Sequence, residues 1–134
     1  MTARILLDTH ILVWWRTDRA RLDPAQAQVM SELEERGEPV AISAITLWEL
    51  AKMVHRGRLS IERPLGAWLQ EIEDNPLICV VPISAAISVL SVQLEEGFHK
   101  DPADQIIVAT ARYFGVPLIT ADSRIRSWGR VRTI

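Results

Sequence analysis

The stretch Ile5-Leu6-Leu7-Asp8 places a short apolar run directly before a carboxylate. Such a run is typical of a buried β-strand that ends in a turn. The same pattern returns near the other end of the chain as Leu118-Ile119-Thr120-Ala121-Asp122. In a parallel α/β sheet, side chains that follow different strands meet in a crevice outside the strands' carboxyl ends. The two stretches therefore predict an α/β fold with acids along one edge of its sheet.

Strand-like and helix-like segments alternate along the whole chain. Asp23 before Pro24 and Gly37 after Arg36, for example, are typical of the start and the end of a helix. Strands are predicted at 4–7, 40–43, 78–81 and 116–120, with a possible fifth at 131–134, and helices at 9–15, 24–36, 44–55, 62–74, 84–94 and 102–114. This order implies a mostly parallel sheet of four or five strands with helices on both faces.

The composition is that of an ordinary globular chain. With 134 residues, of which 49% are hydrophobic and 24% charged, residues 1–134 are expected to form a single domain. No apolar run approaches the ~18 residues of a membrane span, and the amino terminus does not resemble a secretion signal, so a cytoplasmic protein without membrane contact is predicted. The net charge of −2 argues against binding of nucleic acid by bulk attraction alone.

Four carboxylates form the candidate site: Asp8, Glu49, Asp104 and Asp122. Two carboxylates ~4 Å apart repel each other by about 4 kcal/mol at an effective dielectric constant of about 20, so a shared pocket requires protons or a cation. All four side chains offer oxygen, and no Cys or His cluster has the spacing of a zinc site, so we expect magnesium or manganese. Such an ion can activate water and neutralise a phosphoryl oxygen, so no side-chain nucleophile is required.

Each acid also has a structural interpretation. Asp101, just before Pro102, is expected to be a helix N-cap rather than a ligand. Asp104 would then lie in the first turn of that helix, while Asp8 and Asp122 could cap the segments that follow them. Glu49 is harder to explain, because it lies in the middle of an apolar helix, where an unpaired buried charge is costly.

Polar groups around the acids leave two interpretations open. The hydroxyls of Thr9, Ser43 and Thr120 could orient ligands or water, or they could cap turns and helices. The histidines are expected in surface or packing roles. Basic residues cluster in the sequence after Glu49 and again at the end of the chain. They could form a functional patch, or they could be a solvated rim with helix pairs such as Glu49 and Lys52. The two clusters are Lys52, His55, Arg56 and Arg58, and Arg124, Arg126, Arg130 and Arg132.

Four stretches, in this order, carry a resemblance to a known family. They are Leu6-Leu7-Asp8-Thr9-His10, Ser43-Ala44-Ile45-Thr46-Leu47-Trp48-Glu49-Leu50, His99-Lys100-Asp101-Pro102-Ala103-Asp104 and Pro117-Leu118-Ile119-Thr120-Ala121-Asp122. Each one is weakly specific, but the four together resemble the PIN domain of VapC-type toxins over nearly the whole chain.

The resemblance implies a three-layer α/β/α fold and a magnesium- or manganese-dependent endoribonuclease. It also implies inhibition by a small cognate antitoxin and suggests a homodimer. Carried over residue by residue, the acidic site of the family falls on Asp8, Glu49, Asp104 and Asp122. The expected reaction is hydrolysis of an RNA phosphodiester bond by a metal-activated water. The alternative is a PIN-like ribonuclease of RNA processing or decay that has no antitoxin.

A partner surface is also predicted, because several apolar side chains near the first strand and on the Glu49 helix exceed what a small core needs. They are Trp14, Trp15, Leu47, Trp48, Ala51 and Met53. In a toxin, we expect them to line a groove for an amphipathic antitoxin helix. The alternative is that they are all core or dimer contacts.

Overall fold

The computed structural model describes residues 1–134. Its strands are β1 (Leu6–Leu7), β2 (Val40–Ser43), β3 (Ile78–Val81) and β4 (Leu118–Ile119). Its helices are α1 (Thr9–Thr17), α2 (Pro24–Arg36), α3 (Ala44–His55), α4 (Leu65–Asp74), α5 (Ala85–Val92), α6 (Pro102–Phe114) and α7 (Ser123–Trp128), with a short 3₁₀ turn at Arg19–Arg21. None of the helices combines the length and the apolar character that a membrane crossing requires.

The four strands form one parallel sheet in the order β3-β2-β1-β4. Side chains alternate between its two faces, as the pleat of a strand requires. In β1, Leu7 packs into one core together with α1, α2 and α4, and Leu6 packs into a second core together with α5 and α6. In β4, Ile119 packs into the first core and Leu118 into the second. The arrangement confirms the predicted three-layer α/β/α fold.

Five predicted elements differ in their bounds from the structure. Helix α1 continues to Thr17 instead of ending at residue 15, and α5 covers Ala85–Val92 instead of 84–94. Strand β1 covers only Leu6–Leu7 and is shorter than the predicted residues 4–7. The Ile5 carbonyl nevertheless accepts the Ala41 N–H at 2.9 Å. Strand β4 likewise covers only two residues of the predicted 116–120. Helix α4 begins at Leu65 rather than at residue 62, because the ring of Pro64 restricts the residue before it to an extended conformation.

The possible fifth strand is present only as a bridge. Leu118 pairs in parallel with Thr133, and the N–H of Ile134 donates to the Leu118 carbonyl at 3.0 Å. The terminal segment therefore extends the sheet beyond β4 without forming a full strand.

Three strands end next to helix N-caps, and this arrangement positions the candidate site. Asp8 caps α1 directly after β1, Ser43 caps α3 at the end of β2, and Asp122 caps α7 shortly after β4. Asp101 caps α6, which packs against the same sheet. Since helix N-termini carry a partial positive charge, this edge of the sheet favours carboxylates.

Candidate functional site

Asp8 is the most enclosed of the four acids, with 3% of its surface exposed. One of its oxygens accepts the N–H of Thr9 at 2.8 Å as the cap of α1. The other oxygen accepts the hydroxyl of Thr120 at 2.8 Å. The Thr120 oxygen in turn accepts the N–H of Asp122 at 3.0 Å. One buried hydroxyl thus links the loop after β1 to the loop after β4.

Glu49 lies half-buried on α3, where it has a hydrogen-bond donor but no basic partner. Its Oε1 accepts the hydroxyl of Thr9 at 2.6 Å, and the same hydroxyl lies 3.0 Å from that of Thr46. The predicted helix pair with Lys52 does not form, because the Lys52 ammonium lies over the ring of Trp48 instead. Glu49 is therefore aligned by a neutral donor and keeps its full negative charge when ionised.

Asp104 projects from the first turn of α6 towards two basic side chains. The His99 Nε2 lies 2.6 Å from its Oδ2, and the Arg124 guanidinium lies 3.5 Å from the same oxygen. Its backbone N–H donates to the carboxylate of Asp101 at 3.1 Å, so Asp101 acts as the helix cap and Asp104 is free to face the site.

Asp122 combines a structural contact with an ion pair. Its Oδ1 accepts the Arg124 N–H at 2.8 Å as the cap of α7. Its Oδ2 accepts the Arg124 Nη2 at 3.0 Å. Burial pushes the pKa of Asp122 upward, but the hydrogen bonds and the charge of Arg124 outweigh it, so the pKa lies below its ordinary value.

The pKa values of Glu49 and Asp104 are shifted the other way. Burial is the main cause of the raised pKa of Glu49, and the charges of Asp8, Asp104 and Asp101 raise it further against the hydrogen bond from Thr9. Burial also raises the pKa of Asp104, and Asp8 adds to it, although His99 lowers it. The structure therefore brings these acids close enough for their charges to repel one another.

The group of side chains fits a divalent cation. The ligand atoms of His99, Asp104 and Asp122 lie within 4.8 Å of one another, a spacing that one ion can bridge. Asp8 and Glu49 are not among these three ligands, although the charge of Asp8 raises the pKa of both Glu49 and Asp104. Carboxylate oxygens are the ligands that hard divalent ions prefer, and a bound cation would relieve the repulsion. The site could therefore bind a metal ion.

Of the three hydroxyls that the sequence places near the acids, two contact a carboxylate. Thr9 and Thr120 donate to Glu49 and Asp8. Ser43 instead accepts the N–H of Ile45 at 3.2 Å as the cap of α3.

His99 and Arg124 both contact Asp104, and the sequence did not indicate either residue as part of the site. His99 lies five residues before Asp104 in the quoted motif, and Arg124 lies two residues after Asp122, so proximity in sequence was the available signal.

His10 also lies closer to the site than expected. Its Nε2 accepts the N–H of Ala121 at 2.8 Å, and its Nδ1 lies 3.7 Å from Asp8 Oδ2. The ring packs at a tilt against Trp14, with 5.0 Å between ring centroids. His10 therefore bridges the loops that carry the first and the fourth acid.

The apolar side chains predicted to form a groove are mostly part of the core. Trp15 is 3% exposed, and Trp14, Leu47 and Met53 pack half-buried against the same core. Trp48 differs from them, since 53% of its surface is exposed. Most of this apolar surface is therefore already covered within the chain.

The chain is similar to several known proteins. A family model for the PIN domain matches residues 5–131. Ribonuclease VapC22 of Mycobacterium tuberculosis is 33% identical over 130 residues, which cover 97% of this chain and 95% of that protein. A chain of a toxin-antitoxin complex from Klebsiella pneumoniae is similar with a TM-score of 0.61 at 26% identity, covering 97% of this chain and 95% of that one. VapBC2 from Rickettsia felis, bound to a DNA fragment from its promoter, shares the fold with a TM-score of 0.70 at 19% identity, over 97% and 96% of the two chains.

Proposed function

Because the chain belongs to the PIN domain family, we propose that it is a metal-dependent endoribonuclease that acts as the toxin of a toxin-antitoxin pair. The observation that carries the proposal is the acid cluster at the carboxyl edge of the sheet, where burial and mutual repulsion raise the pKa of Glu49 and Asp104. The name of the Mycobacterium tuberculosis relative, a ribonuclease, supports the same activity.

In this proposal Asp8, Glu49, Asp104 and Asp122 hold Mg²⁺ or Mn²⁺. When bound, such an ion activates the attacking water and neutralises the phosphoryl oxygen of the RNA. The hydroxyls of Thr9 and Thr120 keep the carboxylates of Glu49 and Asp8 in a fixed orientation. A precise orientation matters because the reacting water and the phosphate must be aligned before the bond breaks.

The partners of the proposed toxin are an RNA substrate, a small cognate antitoxin and a second copy of the chain in a homodimer. The solved toxin-antitoxin complex from Klebsiella pneumoniae supports the antitoxin. Charge supports the RNA, because Lys52, Arg56 and Arg58 share a cleft with Glu49 although the net charge of the chain is −2.

The activity is tested by incubating the purified chain with RNA. We expect cleavage with Mg²⁺ or Mn²⁺ and none in excess EDTA, because the repelling carboxylates need a cation. Asp104→Asn should be inactive. Asp101→Asn is the matched control and should stay active, since asparagine also caps helices. Full cleavage in EDTA by a preparation free of contaminating nucleases would overturn the metal dependence.

The toxin role needs a separate test in cells. Expression of the chain alone should arrest growth, and co-expression with a small protein encoded next to it should restore growth and give a stable complex. A chain that cleaves RNA but does not slow growth and recovers no small partner would instead be a ribonuclease of RNA processing or decay.

A further inference from the structure

His99 lies in the loop just before α6, and its imidazole is fixed in place by its neighbours. The ring stacks on that of Phe98, with 4.5 Å between the ring centroids and 24° between the planes. Phe98 in turn packs edge-on against Trp128 of α7, at a centroid distance of 4.9 Å. The side chain of Gln105 donates to the His99 carbonyl at 3.3 Å. The imidazole therefore has little freedom, and its Nε2 faces Asp104 at 2.6 Å.

A structural ion pair accounts for only part of this arrangement. A pair between His99 and Asp104 would fasten the loop to the first turn of α6. Asp122 belongs to a different element, as the cap of α7, and such a pair does not require its carboxylate nearby. Yet the ligand atoms of His99, Asp104 and Asp122 all lie within 4.8 Å of one another. One nitrogen and two oxygens therefore converge on the same point.

The spacing of these three atoms suits a single ion. Around an octahedral ion with ligand distances of about 2.1 Å, neighbouring ligand atoms are about 3 Å apart and opposite ones about 4.2 Å. An ion that enters replaces the proton between His99 and Asp104, and this proton is released to the solvent. The Arg124 guanidinium also contacts both carboxylates, but it is largely exposed and can turn away. Small side-chain shifts are therefore enough to seat the ion.

A nitrogen ligand changes which ions the site prefers. Mg²⁺ binds oxygen ligands and keeps several waters, whereas imidazole nitrogen is a common ligand of first-row transition-metal ions. The four carboxylates alone would accept Mg²⁺ and Mn²⁺ alike. A site that includes the imidazole of His99 would instead favour the transition-metal ion.

We propose that His99 is a nitrogen ligand of the ion that Asp104 and Asp122 hold, and that it gives the site a preference for Mn²⁺ over Mg²⁺. The inference rests on the proposed metal-dependent function and adds to it a ligand and the class of ion. It differs from a positioning role, in which His99 would only orient Asp104 and would affect the binding of both ions equally.

Pulsed electron paramagnetic resonance of the Mn²⁺-loaded chain detects this ligand without any cleavage. The coordinated imidazole should give ¹⁴N modulation of the Mn²⁺ echo, and a chain made with ¹⁵N-labelled histidine should show ¹⁵N modulation in its place. His99→Gln should abolish the modulation. His55→Gln is the matched control and should keep it, and so should His10→Gln, which removes the other histidine near the acids. Loss of the modulation in His10→Gln instead of His99→Gln would overturn the inference.

Isothermal titration calorimetry with Mn²⁺ and with Mg²⁺ separates a ligand from a positioning residue. His99→Gln should weaken Mn²⁺ binding by about 10-fold or more, because losing a group that only supports a ligand already costs ~10- to 100-fold. Mg²⁺ binding should weaken much less. Equal losses for the two ions would mean that His99 only positions Asp104, and the inference would be wrong.

RNA cleavage by the wild-type chain is measured in parallel to distinguish two failures. If this chain binds Mn²⁺ and cleaves RNA but shows no nitrogen modulation, His99 is not a ligand and the ribonuclease proposal stands. If it binds neither ion, both the inference and the metal dependence of the proposed function fail.

Discussion

The two halves of the acid cluster are held by different kinds of groups. Asp8 and Glu49 accept hydrogen bonds from the hydroxyls of Thr120 and Thr9, which are neutral. His10 also approaches Asp8, but at 3.7 Å it forms no hydrogen bond with the carboxylate. Asp104 and Asp122 lie instead against basic side chains, His99 for the first and Arg124 for both. We call these the hydroxyl half and the basic half.

The difference has an electrostatic meaning. A hydroxyl fixes the direction of a carboxylate but leaves its charge uncompensated. A guanidinium fixes the direction and also compensates the charge. The hydroxyl half therefore retains the negative charge that an external cation would balance, and the basic half is partly neutralised from within the chain. The comparison predicts that substitutions in the two halves have different effects on metal binding and on cleavage.

The largest effect is expected for Asp8→Asn. It removes an uncompensated charge but keeps the cap of α1, so cleavage should fall by more than the ~10- to 100-fold typical of groups that only support a ligand. Asp122→Asn should cost less, because Arg124 already shares that charge. Initial cleavage rates and Mn²⁺ titrations of both variants measure the difference. Equal losses would show that the division into two halves has no functional meaning.

A smaller effect is expected for Thr9→Val in the hydroxyl half. It preserves the shape of the side chain but removes the donor to Glu49, so cleavage should fall about 10- to 100-fold. Ser43→Ala is the control, since that hydroxyl only caps α3 and its loss should reduce the free energy of unfolding by about 1 kcal/mol with cleavage retained. Steady-state rates and urea denaturation of the two variants separate these outcomes. Retention of full activity by Thr9→Val would count against the orienting role.

Arg124→Gln tests the basic half. The guanidinium lies at Asp122 and Asp104, where it competes with an external cation. Because Arg124 is largely exposed, we expect its removal to tighten Mn²⁺ binding only about fivefold or less, the range of an exposed ion pair. Electron paramagnetic resonance of free Mn²⁺ during a titration measures this affinity. Weaker Mn²⁺ binding would show that Arg124 supports the ion instead of competing with it.

The smallest effect concerns an ion pair outside both halves. Arg112 donates to Glu95 at 2.8 Å and lowers the pKa of Glu95 to about 2, from 4.5. A lowered folded-state pKa stabilises the folded chain above pH 4.5, and this contribution is lost as the pH falls from 4.5 towards 2. Glu95→Gln should therefore lower the melting temperature slightly at pH 7 and not at all near pH 2. A difference that stays constant over this range would mean that packing, not charge, carries the effect.

The fold could be predicted because the relevant signals are local. Strand and cap signals depend only on neighbouring residues, as in the apolar run before Asp8 and in the caps Asp23 and Gly37. The structure has these caps at the predicted positions. The lengths of β1 and β4 could not be predicted in this way, since strand ends depend on which backbone groups of a neighbouring strand are within reach. The alternation of Leu6 and Leu7 between two cores follows from the pleat once the strand is placed.

The site could be predicted only in part. The acids follow strands or open helices, and that position is visible in the sequence. The contact of Arg124 with Asp104 is not, because it depends on how α6 lies against α7 in space. Thr9 and Ser43 both follow or end a strand, yet only Thr9 reaches an acid, because its side chain faces α3. Which hydroxyl serves the site is therefore decided by tertiary packing.

The hydrogen bond from Ala121 to His10 has a consequence for magnetic resonance. Since the ring nitrogen Nε2 accepts the backbone N–H, the neutral imidazole must carry its own proton on Nδ1, next to Asp8. This tautomer is the minor one of free histidine in water, and its ¹⁵N chemical shifts differ clearly from those of the common form. The ¹⁵N chemical shifts of the His10 imidazole would therefore change when the loops after β1 and β4 separate.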